Sequence, residues 1–157
     1  MRSLVRPALM SLTVSLLLLS VAATAMAMPA GLRGGFSSDP DQFLFGGQIE
    51  PDPIADNNLY IIPSGEVGLG DDLFSLSFNG DFQYRFDVSG SVRPFAGMGV
   101  ALWWVDPDNG GDSDTEFGVN ALGGIFFGNK YPMFLELKLG LTDDIPDLKL
   151  VYGINFL

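Results

Sequence analysis

The sequence predicts an all-β protein: an eight-stranded antiparallel up-and-down transmembrane β-barrel, preceded by a cleavable signal peptide. Three observations carry this. The stretch Phe74 to Asp87 alternates apolar and polar residues for fourteen positions without a break. Successive side chains of a strand point to opposite faces, and an ordinary half-buried strand runs only about five or six residues. Fourteen is the length at which a tilted strand crosses a bilayer and emerges a little on each side. Second, no apolar run after residue 27 is long enough for a membrane-spanning helix, yet the mean hydropathy is positive and Phe is the dominant aromatic. Third, the N-terminus has the order of an export signal.

That signal is read from Arg2 and Arg6, the apolar run Leu9 to Ala23, and the small-residue end Ala25-Met26-Ala27. Charged, apolar and small-residue regions in this order mark a secretory signal peptide. Cleavage is expected near Ala27, which divides the chain into a signal, 1–27, and a barrel domain, 28–157.

Composition excludes several functions. There is no Cys, so disulfide stapling, thiol chemistry and a lipid-bearing N-terminal Cys are ruled out. There is no His, the usual general base at neutral pH and the commonest metal ligand. Of eight Lys and Arg, Arg2 and Arg6 lie in the signal, so six face nineteen Asp and Glu. So acidic a chain is a poor partner for nucleic acid or an anionic surface.

Eight strands follow in order. Ala30 to Phe36 is Gly-rich and ends at a turn over Ser37 to Asp41, broken by Asp39-Pro40. Gln42 to Glu50 sets Phe43, Phe45 and Ile49 opposite Gln48 and Glu50, and Pro51 to Asn58 is a loop. Leu59 to Gly70 is expected to be interrupted at Pro63-Ser64-Gly65. Asp71-Asp72 makes a two-residue hairpin, which puts Val67 opposite Leu76 and Leu69 opposite Phe74. The long strand Phe74 to Asp87 is fourth. Arg93 to Val105, Thr115 to Phe127, Met133 to Leu141 and Leu148 to Leu157 complete the set, with the last strand closing the sheet so that no edge is left free.

Alternation alone leaves the direction of the apolar face open. A soluble lipocalin-like barrel would turn it inward around an apolar ligand. The fifth strand favours lipid outside, because Ala96, Met98, Val100, Leu102 and Trp104 oppose a face of Phe95, Gly97, Gly99, Ala101 and Trp103. Neither face is polar, so in water one would be an exposed greasy stripe. In a membrane barrel the small residues fit a crowded lumen, with Gly97 opposite Gln83, Gly99 opposite Asp81 and Gly124 near Glu136. The expected lipid-facing residues are Phe74, Leu76, Phe78, Phe82, Tyr84, Phe86, Leu135, Leu137, Leu139, Leu150, Tyr152, Ile154 and Phe156. The lumen is then expected to hold Arg33, Arg85, Lys138 and Lys149 with Glu66, Asp81, Glu116 and Glu136 as a salt-bridged plug, since unpaired buried ions cost several kcal/mol.

This pattern of signal, eight alternating strands and a terminal strand with Tyr152, Ile154 and Phe156 resembles the small OmpA/OmpX-type outer-membrane β-barrels. The resemblance implies outer-membrane lipid and lipopolysaccharide as surroundings, insertion by the outer-membrane barrel assembly machinery, and both termini in the periplasm. The chain departs from it by ending on Leu157 after Phe156, and by the long Pro51–Asn58 connection on the periplasmic side.

With that orientation, the outward turns carry Asp39, Asp41, Asp71, Asp72, Asp106, Asp108, Asp112, Asp114, Asp143, Asp144 and Asp147. Carboxylates suit divalent cations, but a solvated rim is the plainer account. Asp106, Asp108, Asp112 and Asp114 partly echo a calcium loop, although Gly110 sits where a ligand is wanted and Phe117 where the bidentate Glu belongs. Trp103-Trp104 with Tyr84, Phe86, Tyr131 and Tyr152 fits interfacial girdles better than a carbohydrate platform. No nucleophile has a base beside it, and no cofactor site is legible. The expected function is therefore a non-enzymatic outer-membrane barrel with a filled lumen and a structural or interaction role. The alternatives are a cation- or glycan-binding surface module and the soluble ligand carrier.

Overall fold

A computed structural model describes residues 29–54, 58–71, 73–107, 112–128 and 132–156. The signal peptide, Asp72, Asp108, Tyr131 and Leu157 lie outside the described residues. Eight strands form one closed antiparallel barrel, each paired with its neighbours in sequence and the last with the first. They are β1 (Ala30–Ser38), β2 (Gln42–Ile49), β3 (Leu59–Gly70), β4 (Leu73–Arg85), β5 (Val92–Pro107), β6 (Asp114–Phe127), β7 (Met133–Gly140) and β8 (Leu148–Phe156). Closure between β1 and β8 runs from Ala30 with Phe156 to Ser38 with Leu148. It removes the open edge that lipid could not hydrate.

The expected registers are present. Val67 pairs with Leu76 and Leu69 with Phe74, Gly97 with Gln83 and Gly99 with Asp81, and Gly124 with Glu136. One expectation fails: β3 is continuous through Pro63-Ser64-Gly65, and Pro63 pairs with Gly80. The reason lies next door. The β2 ladder ends at Gln48 with Ser64, so Pro63 stands just past it with β4 as its ladder neighbour. A proline without an N–H is tolerated where a strand has an open side.

The apolar faces point outward and the polar faces inward. Along β4, Phe78 is 63% exposed, whereas Asp81 is fully buried. Exposed Leu32, Phe43, Phe45, Met98, Leu102, Leu137, Leu150 and Tyr152 continue the apolar belt around the barrel. An inward apolar face enclosing a ligand, as in a lipocalin-like carrier, is not what the fold has.

Large inward side chains face glycine. A Cβ on Gly153 would run into the Phe134 ring, and one on Gly124 would come within 2.5 Å of the Phe95 ring. An eight-stranded barrel is just wide enough for side chains to fill, and these glycines set how that filling is achieved.

Candidate functional site: the lumen and its two mouths

The interior is layered. Its centre is a buried ion network whose members come from six strands. Arg33 on β1 contacts Glu66 on β3 (Nε to Oε1, 2.9 Å) and Glu136 on β7 (Nη2 to Oε1, 2.8 Å). The Arg33–Glu66 contact is at ion-pair distance without hydrogen-bond alignment. Lys149 on β8 donates to Glu66 Oε2 at 3.0 Å, and Lys138 on β7 donates to Asp81 Oδ2 on β4 at 2.5 Å. Gln83 donates to Glu136 at 3.0 Å, and Gln48 on β2 accepts from Arg33 at 3.2 Å. Three cations thus meet three carboxylates, every side chain at most 8% exposed. The strand period makes this possible, since residues two apart share a face and cross-strand neighbours stand about 5 Å apart.

Two residues expected in this network sit elsewhere. Arg85 lies at the mouth shared with the chain's ends, paired with Glu50, its guanidinium 3.8 Å from the Tyr60 ring centroid and 4.4 Å from that of Phe126. Glu50 also accepts from Asn155 at 3.0 Å. Arg85 ends β4, nearer the chain-end mouth than the central ions, and meets them through Gln83, whose Oε1 accepts from it at 3.5 Å. Glu116 is half-buried near the opposite mouth and makes no ion pair among the described residues. It pairs across to Trp103 on β5, but β7 begins its pairing with β6 only at Asn120, so Glu116 has no strand on its other side.

The sequence reading missed the apolar layers. Toward the chain-end mouth, Phe95, Leu122, Phe126, Phe134 and Val151 form a buried cluster inside the barrel. At the other mouth the segment between β7 and β8 folds inward: Ile145 is 5% exposed and packs with Ala101 and Trp103. Gly118 makes room, since a Cβ there would come within 2.5 Å of both Ile145 and Thr142. The Leu141 amide donates to the Val119 carbonyl and the Gly140 amide to that of Asp147, pinning the segment down. Phe126 and Phe134 share the lumen-facing parity of β6 and β7, so their positions could have been read from alternation. Ile145, in a turn, gave no such signal.

All thirteen residues expected to face lipid lie on the outer face. Phe74, Leu76 and Ile154 are only half-exposed there, Phe74 because it makes an edge contact with Trp104 at 6.1 Å. Of the calcium-loop candidates, Asp106 is half-buried at the end of β5 while Asp112 and Asp114 are exposed. Among the described residues no group of three or more Asp or Glu is placed to hold a metal ion.

No protein-family model and no curated protein sequence matches the chain. Solved structures do. The chain is similar to Neisserial surface protein A (NspA) at 17% identity and a TM-score of 0.60, covering 81% of this chain and 92% of that one. It is similar to the N-terminal β-barrel domain of Pseudomonas aeruginosa OprF at 16% identity and a TM-score of 0.62, covering 82% and 95%. The outer membrane enzyme PagL matches at 15% identity and a TM-score of 0.52, covering 82% and 99%. At such identities the likeness is one of fold: this chain has the fold of the small eight-stranded outer-membrane β-barrels.

Proposed function

We propose that the protein is a small integral barrel of the bacterial outer membrane with a filled lumen, serving a structural or interaction role in the cell envelope. One observation carries the reading: an apolar exterior surrounds an interior of paired ions. Water would reward the reverse arrangement, and only acyl chains suit an outer belt of Phe, Leu and Tyr. Its surroundings are then outer-membrane lipid and lipopolysaccharide, and its route of insertion the barrel assembly machinery, behind a cleaved segment 1–27.

Catalysis is not part of this reading. The chain lacks His, and the buried Ser77 hydroxyl donates to Glu66, itself engaged by Arg33 and Lys149. Transport is not part of it either: buried apolar clusters on both sides of the ion network support a filled lumen.

Fractionation tests this. After carbonate and urea washing the protein should stay in the outer-membrane pellet and migrate differently on electrophoresis before and after boiling. Recovery from the washed supernatant with heat-independent migration refutes it.

A further inference from the structure

The chain-end mouth of the barrel contains a recess of about 250 Å³, floored by Phe126 and the Arg85–Glu50 pair. Beneath it lies the buried Phe95, Phe126 and Phe134 cluster, and beside that cluster Glu50 and Asn155 lead through Gln48 to Arg33 of the ion network. The walls of the recess are of three kinds. Pro29, Pro51, Pro53 and Pro132 with the Tyr60 ring supply rigid apolar surface. Arg85 is spent, its guanidinium held by Glu50 and stacked between Tyr60 and Phe126. Arg93 and Asp52, by contrast, line the recess, are exposed, and have no ion-pair partner within 4.0 Å among the described residues.

Among the described residues, one unspent cation and one unspent carboxylate on the rim of a recess with apolar walls define a ligand chemistry. We propose that this recess binds a small zwitterion with an apolar body, an amino acid or short peptide, its carboxylate on Arg93 and its ammonium on Asp52. A guanidinium gives a carboxylate two parallel hydrogen bonds, and a carboxylate accepts from an ammonium. The apolar walls exclude water from one side of each contact, and the prolines present no N–H that the ligand would leave unpaired. A simple anion would gain Arg93 but meet Asp52, and a simple cation would gain Asp52 but meet Arg93. The pocket itself does not depend on the membrane assignment above; that assignment adds only that the recess faces the periplasm.

The test uses the full mature barrel, refolded in detergent micelles and checked by its heat-dependent migration. Alanyl-leucine is titrated while the amide resonances of Asp52, Tyr60 and Arg93 are followed, alongside its N-acetyl and C-terminal amide derivatives. The expected result is saturable binding by the zwitterion, weakened about tenfold by either derivative, as loss of one charged contact implies. Arg93→Gln should erase the preference for free acid over amide, and Asp52→Asn the preference for free amine over N-acetyl. Both residues are exposed, so these changes leave the fold intact, and the ligand derivatives give the answer without any variant. Equal shifts with all three ligands would mean apolar partitioning alone and would overturn the proposal. So would no saturation up to about 30 mM, or a preference for acid that survives Arg93→Gln.

Discussion

Neutralising Glu66 tests the charge pairing of the lumen most directly. Glu66 serves two cations, Arg33 at 2.9 Å and Lys149 at 3.0 Å. Glu66→Gln preserves shape and leaves the buried set, Arg33, Lys138 and Lys149 against Asp81 and Glu136, one positive charge in excess. Arg33 keeps Glu136 at 2.8 Å, but Lys149 keeps no carboxylate within 4.0 Å among the described residues. At 3 Å and an effective dielectric constant of 20, each lost contact is worth roughly 5 kcal/mol before the glutamine's dipole recovers part of it. Removing one partner of a buried pair costs roughly 3–5 kcal/mol in proteins generally. About 3–4 kcal/mol is therefore expected for Glu66→Gln.

Lys149→Met supplies the contrast. Glu66 then still holds Arg33, so the expected cost is smaller, about 1–2 kcal/mol. The double variant should be more stable than Glu66→Gln alone, because the stranded ammonium has gone. Reversible urea unfolding in phospholipid vesicles, followed by the fluorescence of Trp103 and Trp104, measures all three. A Glu66→Gln barrel within 0.5 kcal/mol of the parent, or a Lys149→Met variant less stable than it, would refute the reasoning.

The remaining predictions probe the other layers. Phe78→Arg places a charge in the middle of β4 on the exposed outer belt and should destabilise the barrel in vesicles by roughly 2–4 kcal/mol, the cost of an Arg near the bilayer midplane; an unchanged urea midpoint would argue against lipid contact. Phe134→Ala empties the centre of the buried apolar cluster, where Phe134 is 2% exposed, and should cost about 3–5 kcal/mol in the same assay. In planar bilayers the parent should show no large, stable single-channel conductance, since the ion network, the aromatic cluster and Ile145 all occupy the lumen. Calcium titration should give no saturable shift at Asp106, Asp112 or Asp114; a shift that disappears when these are changed to Asn would restore a cation site at the rim.

Most of the barrel is legible in the sequence because its two surfaces obey one rule with period two. Fourteen alternating residues place β4, and once its faces are fixed the hairpin registers follow from counting through short turns. The ion network was legible for the same reason: Glu66, Asp81, Glu136, Lys138 and Lys149 fall on polar faces that must point inward once the apolar ones face lipid. Where counting breaks down, so did the reading. Pro63 looks like an interruption until the end of the β2 ladder beside it is known. Arg85 and Glu116 have the right parity but the wrong height, and height depends on how far each neighbouring strand runs. Ile145 could not be found at all, because a turn has no period and its burial is set by the space left at Gly118.

Ile145 also caps one mouth of a lumen whose interior is polar. A column of polar residues runs from Glu50 through Asn155 and Gln48 to Arg33, joined by hydrogen bonds of 2.9 to 3.2 Å, and from Arg33 to Glu66 and Lys149. Left open at both ends it would be a wetted path. The stopper at one mouth and the aromatic layer that shares its depth with this column at the other are built from residues with no charge to satisfy, so their gain is hydrophobic. Dry ends also lower the local dielectric, which strengthens the ion pairs between them and raises the cost of breaking any one. The apolar layers and the ion network are thus coupled: opening the mouth by replacing Ile145 with Gly should reduce the penalty of Glu66→Gln, because the ammonium stranded on Lys149 would then be within reach of water. A double-mutant cycle between the two positions by urea unfolding measures that coupling, and strict additivity would mean that the layers act independently.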